Sequence, residues 1–251
     1  MNTVWAYNKM DARIENALLW LDSQHPATIK ELSSAIKAYQ CWNIPVTFTE
    51  NLLRSNEENS WNTSIRDTAR ACSALASVGI VLPGTSRWII TQQQTDGSYS
   101  SDVYNTTYAL IALADMEERD HRGCRWLVDR FNSDWNHVGT VSLIITALLK
   151  QDNVREIDKH NDLIHRHVRW VLSQREDDGG WQYIVTSNIA MQALLLAGYH
   201  DELSISVKWL CRNMNSNGSW GKDGGDVTAT AMSLITLGRF EISRIRDSEA
   251  L

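Results

Sequence analysis

Two carboxylates fall where acid–base chemistry would place them. Asp67 and Asp102 stand just ahead of Thr-rich apolar stretches, in Ser64-Ile-Arg66-Asp67-Thr-Ala and Asp102-Val-Tyr104-Asn105-Thr-Thr. A carboxyl buried at the head of an apolar segment is a candidate acid or base, because desolvation holds its proton. Arg66 suits a diphosphate or carboxylate, although a guanidinium beside Asp67 would lower that carboxyl's pKa. Tyr104 offers a ring face to a cation, and Asn105 an amide to orient a substrate. His137, Asn188, Asp226 and Thr228 complete the candidate substrate-binding set. Most of these types also belong at helix N-termini, so capping competes with function for the acids, Asn and Thr. Arg66 is a cation that capping does not call for; its alternative is a solvated outward charge. For His137 the alternative is a packed turn.

The elements that must position these residues form a repeat. Successive helix tryptophans, Trp88, Trp126, Trp170 and Trp209, stand 38, 44 and 39 residues apart. In the clearest copies an aromatic closes a Gly-rich turn 11 residues after the Trp, as in Trp88…Asp96-Gly-Ser-Tyr99, Trp170…Asp178-Gly-Gly-Trp181 and Trp209…Asn217-Gly-Ser-Trp220. Weaker copies run from Glu50 to Trp61 and from Trp126 to Trp135, and the first unit, around Trp20, passes through His25-Pro26 without a Gly turn. Self-similarity at this period predicts six helical hairpins, none able to bury its apolar face alone. Outer segments such as 163–175 alternate apolar and charged residues at helical spacing. Inner segments such as Asn188-Ile-Ala-Met-Gln-Ala-Leu-Leu-Leu-Ala197 are apolar nearly all round and read as buried helices. Register places the candidates above in the first turns of the inner helices, around one rim. The Gly turns supply positive φ, and the amides of Gln92 and Gln174 are placed to bond free backbone groups at a helix end. The Trp ladder (20, 88, 126, 170, 209) reads as core packing, and residues 239–251 as a last helical turn or a frayed tail.

Of the 251 residues, 43% are hydrophobic and 11 are Trp, enough for a large core and unlike a disordered chain. A net charge of −6 without a basic run argues against nucleic acid as a partner. No stretch is long and apolar enough to span a membrane. The N-terminus lacks the apolar core of a signal peptide, and the four cysteines form no C-x-x-C pair, so a reducing cytoplasm is expected. His160, His165 and His167 read as solvated surface.

The repeats resemble the Gln-Trp motifs of the terpene cyclase and prenyltransferase superfamily. Gln92/Asp96-Gly-Ser-Tyr99, Gln174/Asp178-Gly-Gly-Trp181 and Asn213/Asn217-Gly-Ser-Trp220 carry the likeness, with Asp67-Thr-Ala-Arg-Ala71, Thr106-Thr-Tyr-Ala109 and Thr230-Ala-Met-Ser233 as its second half. The resemblance covers essentially the whole chain. It implies an all-α fold, an α6/α6 toroid spanning 1–251 as one domain, with a central cavity for an apolar, isoprenoid-type molecule. Cyclases of this kind protonate an alkene with the middle Asp of D-x-D-D; here Arg66 and Tyr104 occupy that place. Zinc prenyltransferases use Asp-x-Cys and His; here Tyr104 and Asn105 stand there, so no metal is expected. A diphosphate substrate would bring Mg²⁺ with it. Two readings follow: a cyclase- or isomerase-like enzyme using Asp67 or Asp102, or a non-catalytic toroid serving as a binding, regulatory or partner subunit for another protein. A glycan-acting barrel with paired carboxylates fits the acids and aromatics but not the repeats.

Overall fold

The computed structural model describes residues 12–131, 135–152 and 161–249. Among the described residues it is helical throughout, with twelve α-helices and no strand. The odd-numbered helices are α1 (Ala12–Ser23), α3 (Thr49–Arg54), α5 (Pro83–Thr91), α7 (His121–Arg130), α9 (Asn161–Ser173) and α11 (Ser204–Arg212). The even-numbered ones are α2 (Ile29–Cys41), α4 (Ile65–Ser77), α6 (Val103–Asp115), α8 (Val138–Asp152), α10 (Ile184–Leu196) and α12 (Val227–Glu249). The segment from 239 therefore continues α12.

Helix starts follow local chemistry. Thr28 and Glu31 form a capping box at α2, and the Ser64 hydroxyl accepts from the Asp67 N–H at α4. Asp102 caps α6 and Asp226 caps α12, each accepting a backbone N–H at 2.7 Å. Pro83 opens α5, where its missing N–H leaves nothing unsatisfied.

Packing carries these helices round in order. α2 packs on α4, α4 on α6, α6 on α8, α8 on α10 and α10 on α12, and α12 returns to α2. Neighbours run the same way. Hydrogen bonds join first turn to first turn (Tyr104 to Thr140) and late turn to late turn (Lys37 to Ser73, and Lys150 to Asp115). Each odd helix packs on an even partner: α1 against α12, α3 against α2, α5 against α4 and α6, α7 against α6 and α8, α9 against α8, α11 against α10.

The Gly turns fasten one unit to the next. A Cβ on Gly97 would stand 2.6 Å from the Arg122 carbonyl on α7, and one on Gly179 2.8 Å from that of Ile205 on α11. A Cβ on Gly218 would meet the backbone of Asn16 on α1, so the last turn is seated on the first helix. The closing aromatics Trp61, Tyr99, Trp181 and Trp220 are buried. Each donates its backbone N–H to a hydroxyl at the start of the next even helix: Thr68, Thr106, Ser187 and Thr230, at 2.8–3.0 Å. The indoles of Trp61, Trp181 and Trp220 donate to carbonyls of the odd helix before them. Trp126 and Trp209 donate to Asp96 and Asp178 in the preceding turn, at 3.0 and 2.9 Å. These two are buried, whereas Trp20, Trp88 and Trp170 are half-buried against the core. The glutamine expectation changes in detail. Gln92 reaches the Trp88 carbonyl only at 3.5 Å, Gln174 bonds the Ser173 hydroxyl, and Gln93 makes the firmer bonds, to the Gly97 carbonyl and Asp120.

Candidate functional site

The residues singled out from sequence lie in or just before first turns of even helices, except Asn188, which opens the second turn of α10. Arg66 on α4 reaches across to α6, with Nη2 3.0 Å from Asp102 and Nε 2.9 Å from the Asn105 amide oxygen. Its guanidinium also lies 5.3 Å from the centre of the Tyr104 ring. Arg66 is thus paired rather than simply solvated, while Asp102 accepts from it and caps its own helix. Asp67 pairs with Arg70 at 3.1 Å and accepts from Asn62. Asp226 serves as a cap. Asn188 is fully buried and bonds Ser233 and Thr236 across to α12. His137 is exposed just ahead of α8. The structure therefore brings Arg66, Asp102, Tyr104 and Asn105 together and keeps Asp67, Asn188, Asp226 and His137 in separate contacts. His160 lies outside the described residues. His165 is exposed, and half-buried His167 stacks on Phe131.

Inside the circuit is a cavity of about 300 Å³ lined by all six even helices. Of the residues predicted from sequence, only Thr228 lines it. The lining follows a register invisible to motif reading. On five of the helices residues i, i+3 and i+7 face inward: 30/33/37, 70/73/77, 108/111/115, 143/146/150 and 232/235/239. On α10 the same register gives 189 and 192, and its third place, Leu196, is exposed. This spacing keeps one helix face turned to the axis.

Three tiers result. The first combines Lys30, Arg70 and Tyr108 with Leu143, Ile189 and Met232. The second mixes Ser33, Ser73, Thr146 and Gln192 with Ile111 and Ile235. The third is charged: Lys37, Asp115, Lys150 and Arg239, with Ser77. Lys37 donates to Ser73 at 2.5 Å, and both Ser73 and Lys150 donate to Asp115. Gln192 accepts from Arg239 at 3.2 Å and donates to Thr236.

Burial pushes the Lys37 ammonium down to about 8, with Lys150 and Arg239 adding to the fall and Asp115 opposing it. Lys37 is half-buried on the cavity wall. Burial alone would raise Asp115, but Lys37, Lys150 and Ser73 outweigh it and hold the carboxyl below its usual range. Asp115 is therefore a committed carboxylate, suited to accept hydrogen bonds and balance a cation but not to donate a proton.

No family model matches the chain, and no curated protein matches it.

The tier residues were missed because each is a single polar side chain in an apolar helix, with no short-range motif around it. A signal existed at the scale of the repeat. Ser73 and Gln192 stand five residues after Thr68 and Ser187, the hydroxyls that take the aromatic N–H; Asp115 and Arg239 stand nine after Thr106 and Thr230. Aligning the repeats on those hydroxyls brings the polar residues into common columns.

Proposed function

We propose that the chain is a terpene-cyclase-like α6/α6 toroid that binds an apolar, isoprenoid-type small molecule in its axial cavity. The unbroken circuit of even helices, with odd helices outside it, supports the toroid. One observation carries the ligand reading: the cavity of about 300 Å³ has one wall built by Leu143, Ile189 and Met232 and continued by Ile111 and Ile235. That volume is at the lower end for small-molecule sites, where apolar walls supply affinity and a few polar groups fix orientation.

The same geometry favours binding over alkene protonation. Neither Asp67 nor Asp102 lines the cavity, and each is bonded to an arginine. The one acid on the wall, Asp115, is ionised. This favours the reading as a binding, regulatory or partner subunit over that of a cyclase.

Two measurements test the pair of readings. Calorimetric titration with farnesol is expected to give saturable one-to-one binding; no heat and no displacement would remove the ligand reading. Gas chromatography of incubations with farnesyl diphosphate and squalene, with and without Mg²⁺, is expected to give no new product. A product lost in Asp67→Ala or Asp102→Ala would restore the enzyme.

A further inference from the structure

The charge of the cavity is opposite to that of the chain. Overall the protein carries a net −6, yet the cavity wall bears Lys30, Lys37, Arg70, Lys150 and Arg239 against a single acid, Asp115. Arg70 is matched by Asp67 at 3.1 Å, outside the wall. Within the third tier three cations stand against one carboxylate, which bonds Lys150 directly and Lys37 through Ser73, while Arg239 bonds Gln192.

Helix dipoles do not account for this arrangement. A cation in the last turn of a helix is favoured by the carbonyls there, and Lys150 is so placed at the end of α8. Arg239 lies mid-way along α12, where the dipole gives nothing. Lys37 is half-buried, and its ammonium bonds Ser73, which in turn bonds a carboxylate already bonded to Lys150. Enclosed charge of one sign costs free energy unless a counter-charge joins it. Low-dielectric walls also focus the field of like charges on a ligand in the space between them.

We propose that the third tier is the seat of an oxyanion, so that the cavity takes an amphiphilic anion: a carboxylate or phosphate head on an apolar body. Lys37, Lys150 and Arg239 hold the head, with Gln192 bracing Arg239 and Ser73 bracing Lys37. The body lies along Leu143, Ile189 and Met232 toward the first tier. This rests on the cavity being a ligand site and adds to it the charge of the ligand and the end at which that charge lies. A guanidinium and two ammonium groups suit either oxyanion, the guanidinium in bidentate fashion.

The test separates head from body. The full-length protein is titrated calorimetrically with farnesol, farnesoate and farnesyl phosphate, and with decan-1-ol and decanoate, at pH 7. Anions are expected to bind at least tenfold tighter than the alcohol of the same chain. The ratio of farnesoate to farnesyl phosphate identifies the head, and the decyl pair frees the charge from the identity of the body. Lys37→Met and Arg239→Gln are expected to lose the preference for anions while keeping alcohol binding, and Lys37→Arg to retain it. Should Lys37→Met not fold, judged by circular dichroism, Arg239→Gln carries the test alone. In the wild type the preference is expected to fall as pH rises past 8, because Lys37, faced by Asp115, Lys150, Arg239 and Cys41, then loses its proton. Equal affinity for alcohol and anion would overturn the oxyanion seat and leave the apolar cavity standing. No binding by any of the five would overturn both.

Discussion

Toward the first-turn end of the even helices, charges meet in balanced pairs, the outer one half-exposed and the inner one about as buried as Lys150 with Asp115. Arg66 with Asp102 and Arg70 with Asp67 each join one cation to one carboxylate, and Asp102 and Asp226 cap helices as well. At the late-turn end, Lys37, Lys150 and Arg239 line the cavity with one carboxylate, Asp115, which bonds Lys150 directly and Lys37 through Ser73. The first set is what any helical array needs at its N-termini. The second is not: it is partly buried, unbalanced, and arranged around a cavity. Charge that folding does not require is the better pointer to function, because the fold must bear its desolvation.

The largest expected effect tests this contrast directly. Asp115→Asn takes the carboxylate from Lys150 and, through Ser73, from Lys37, and should lower unfolding free energy by about 2–3 kcal/mol, below the full cost of breaking a buried pair because the group is partly exposed, read by urea denaturation. Asp102→Ala at the other end removes a cap and a half-exposed ion pair, a loss of about 1 kcal/mol. Equal losses would erase the distinction between the two ends.

Lys37→Met should act in the opposite direction, raising stability near pH 7 by about 1–3 kcal/mol, since an apolar chain of similar length replaces a desolvated charge. The gain has a pH signature. Lys37 titrates near 8 in the folded protein against 10.5 ordinarily. Between those values the unfolded chain holds a proton that the folded one lacks, so this group's penalty is full below pH 8 and relieved as pH rises toward 10.5. Burial raises Cys72 to about 11, from 9.0, and it contributes with the opposite sign over part of the same range. The difference between wild type and variant therefore isolates Lys37, and it should shrink as pH climbs from 8. A constant difference would mean that the ammonium is not penalised in the folded state.

What could be read from sequence follows the same division. Trp88, Trp170 and Trp209, with Tyr99, Trp181 and Trp220 eleven residues on, marked the hairpins because an aromatic anchor and a Gly turn constrain backbone locally. The first-turn acids were found because N-terminal chemistry is also local; Asp102 and Asp226 are caps, as the competing explanation held. Lys37, Ser73, Asp115 and Lys150 are joined across 36, 42 and 35 residues. Nothing beside any of them in the chain reveals that they meet. Their relation exists only once six helices are wrapped and turned to a common axis. Asn188 shows the intermediate case: its place near the start of α10 was legible, but not its burial against Ser233 and Thr236.

The smallest effect sharpens the comparison from the solvent side. Arg66 and Asp102 keep 39% and 35% of their side-chain surface exposed, so solvent screens their attraction. Arg66→Gln retains a donor for Asn105 and should change stability by no more than about 0.5–1 kcal/mol, less at high salt. A double-mutant cycle with Asp102→Asn measures the pair itself, since the asparagine side chain can still cap α6. A coupling below 1 kcal/mol would show that this bridge, although it spans two helices, is held by a fold made elsewhere. A coupling of several kcal/mol would place it with the buried cluster, and would mean that Arg66 orders the first-turn rim as Asp115 orders the interior.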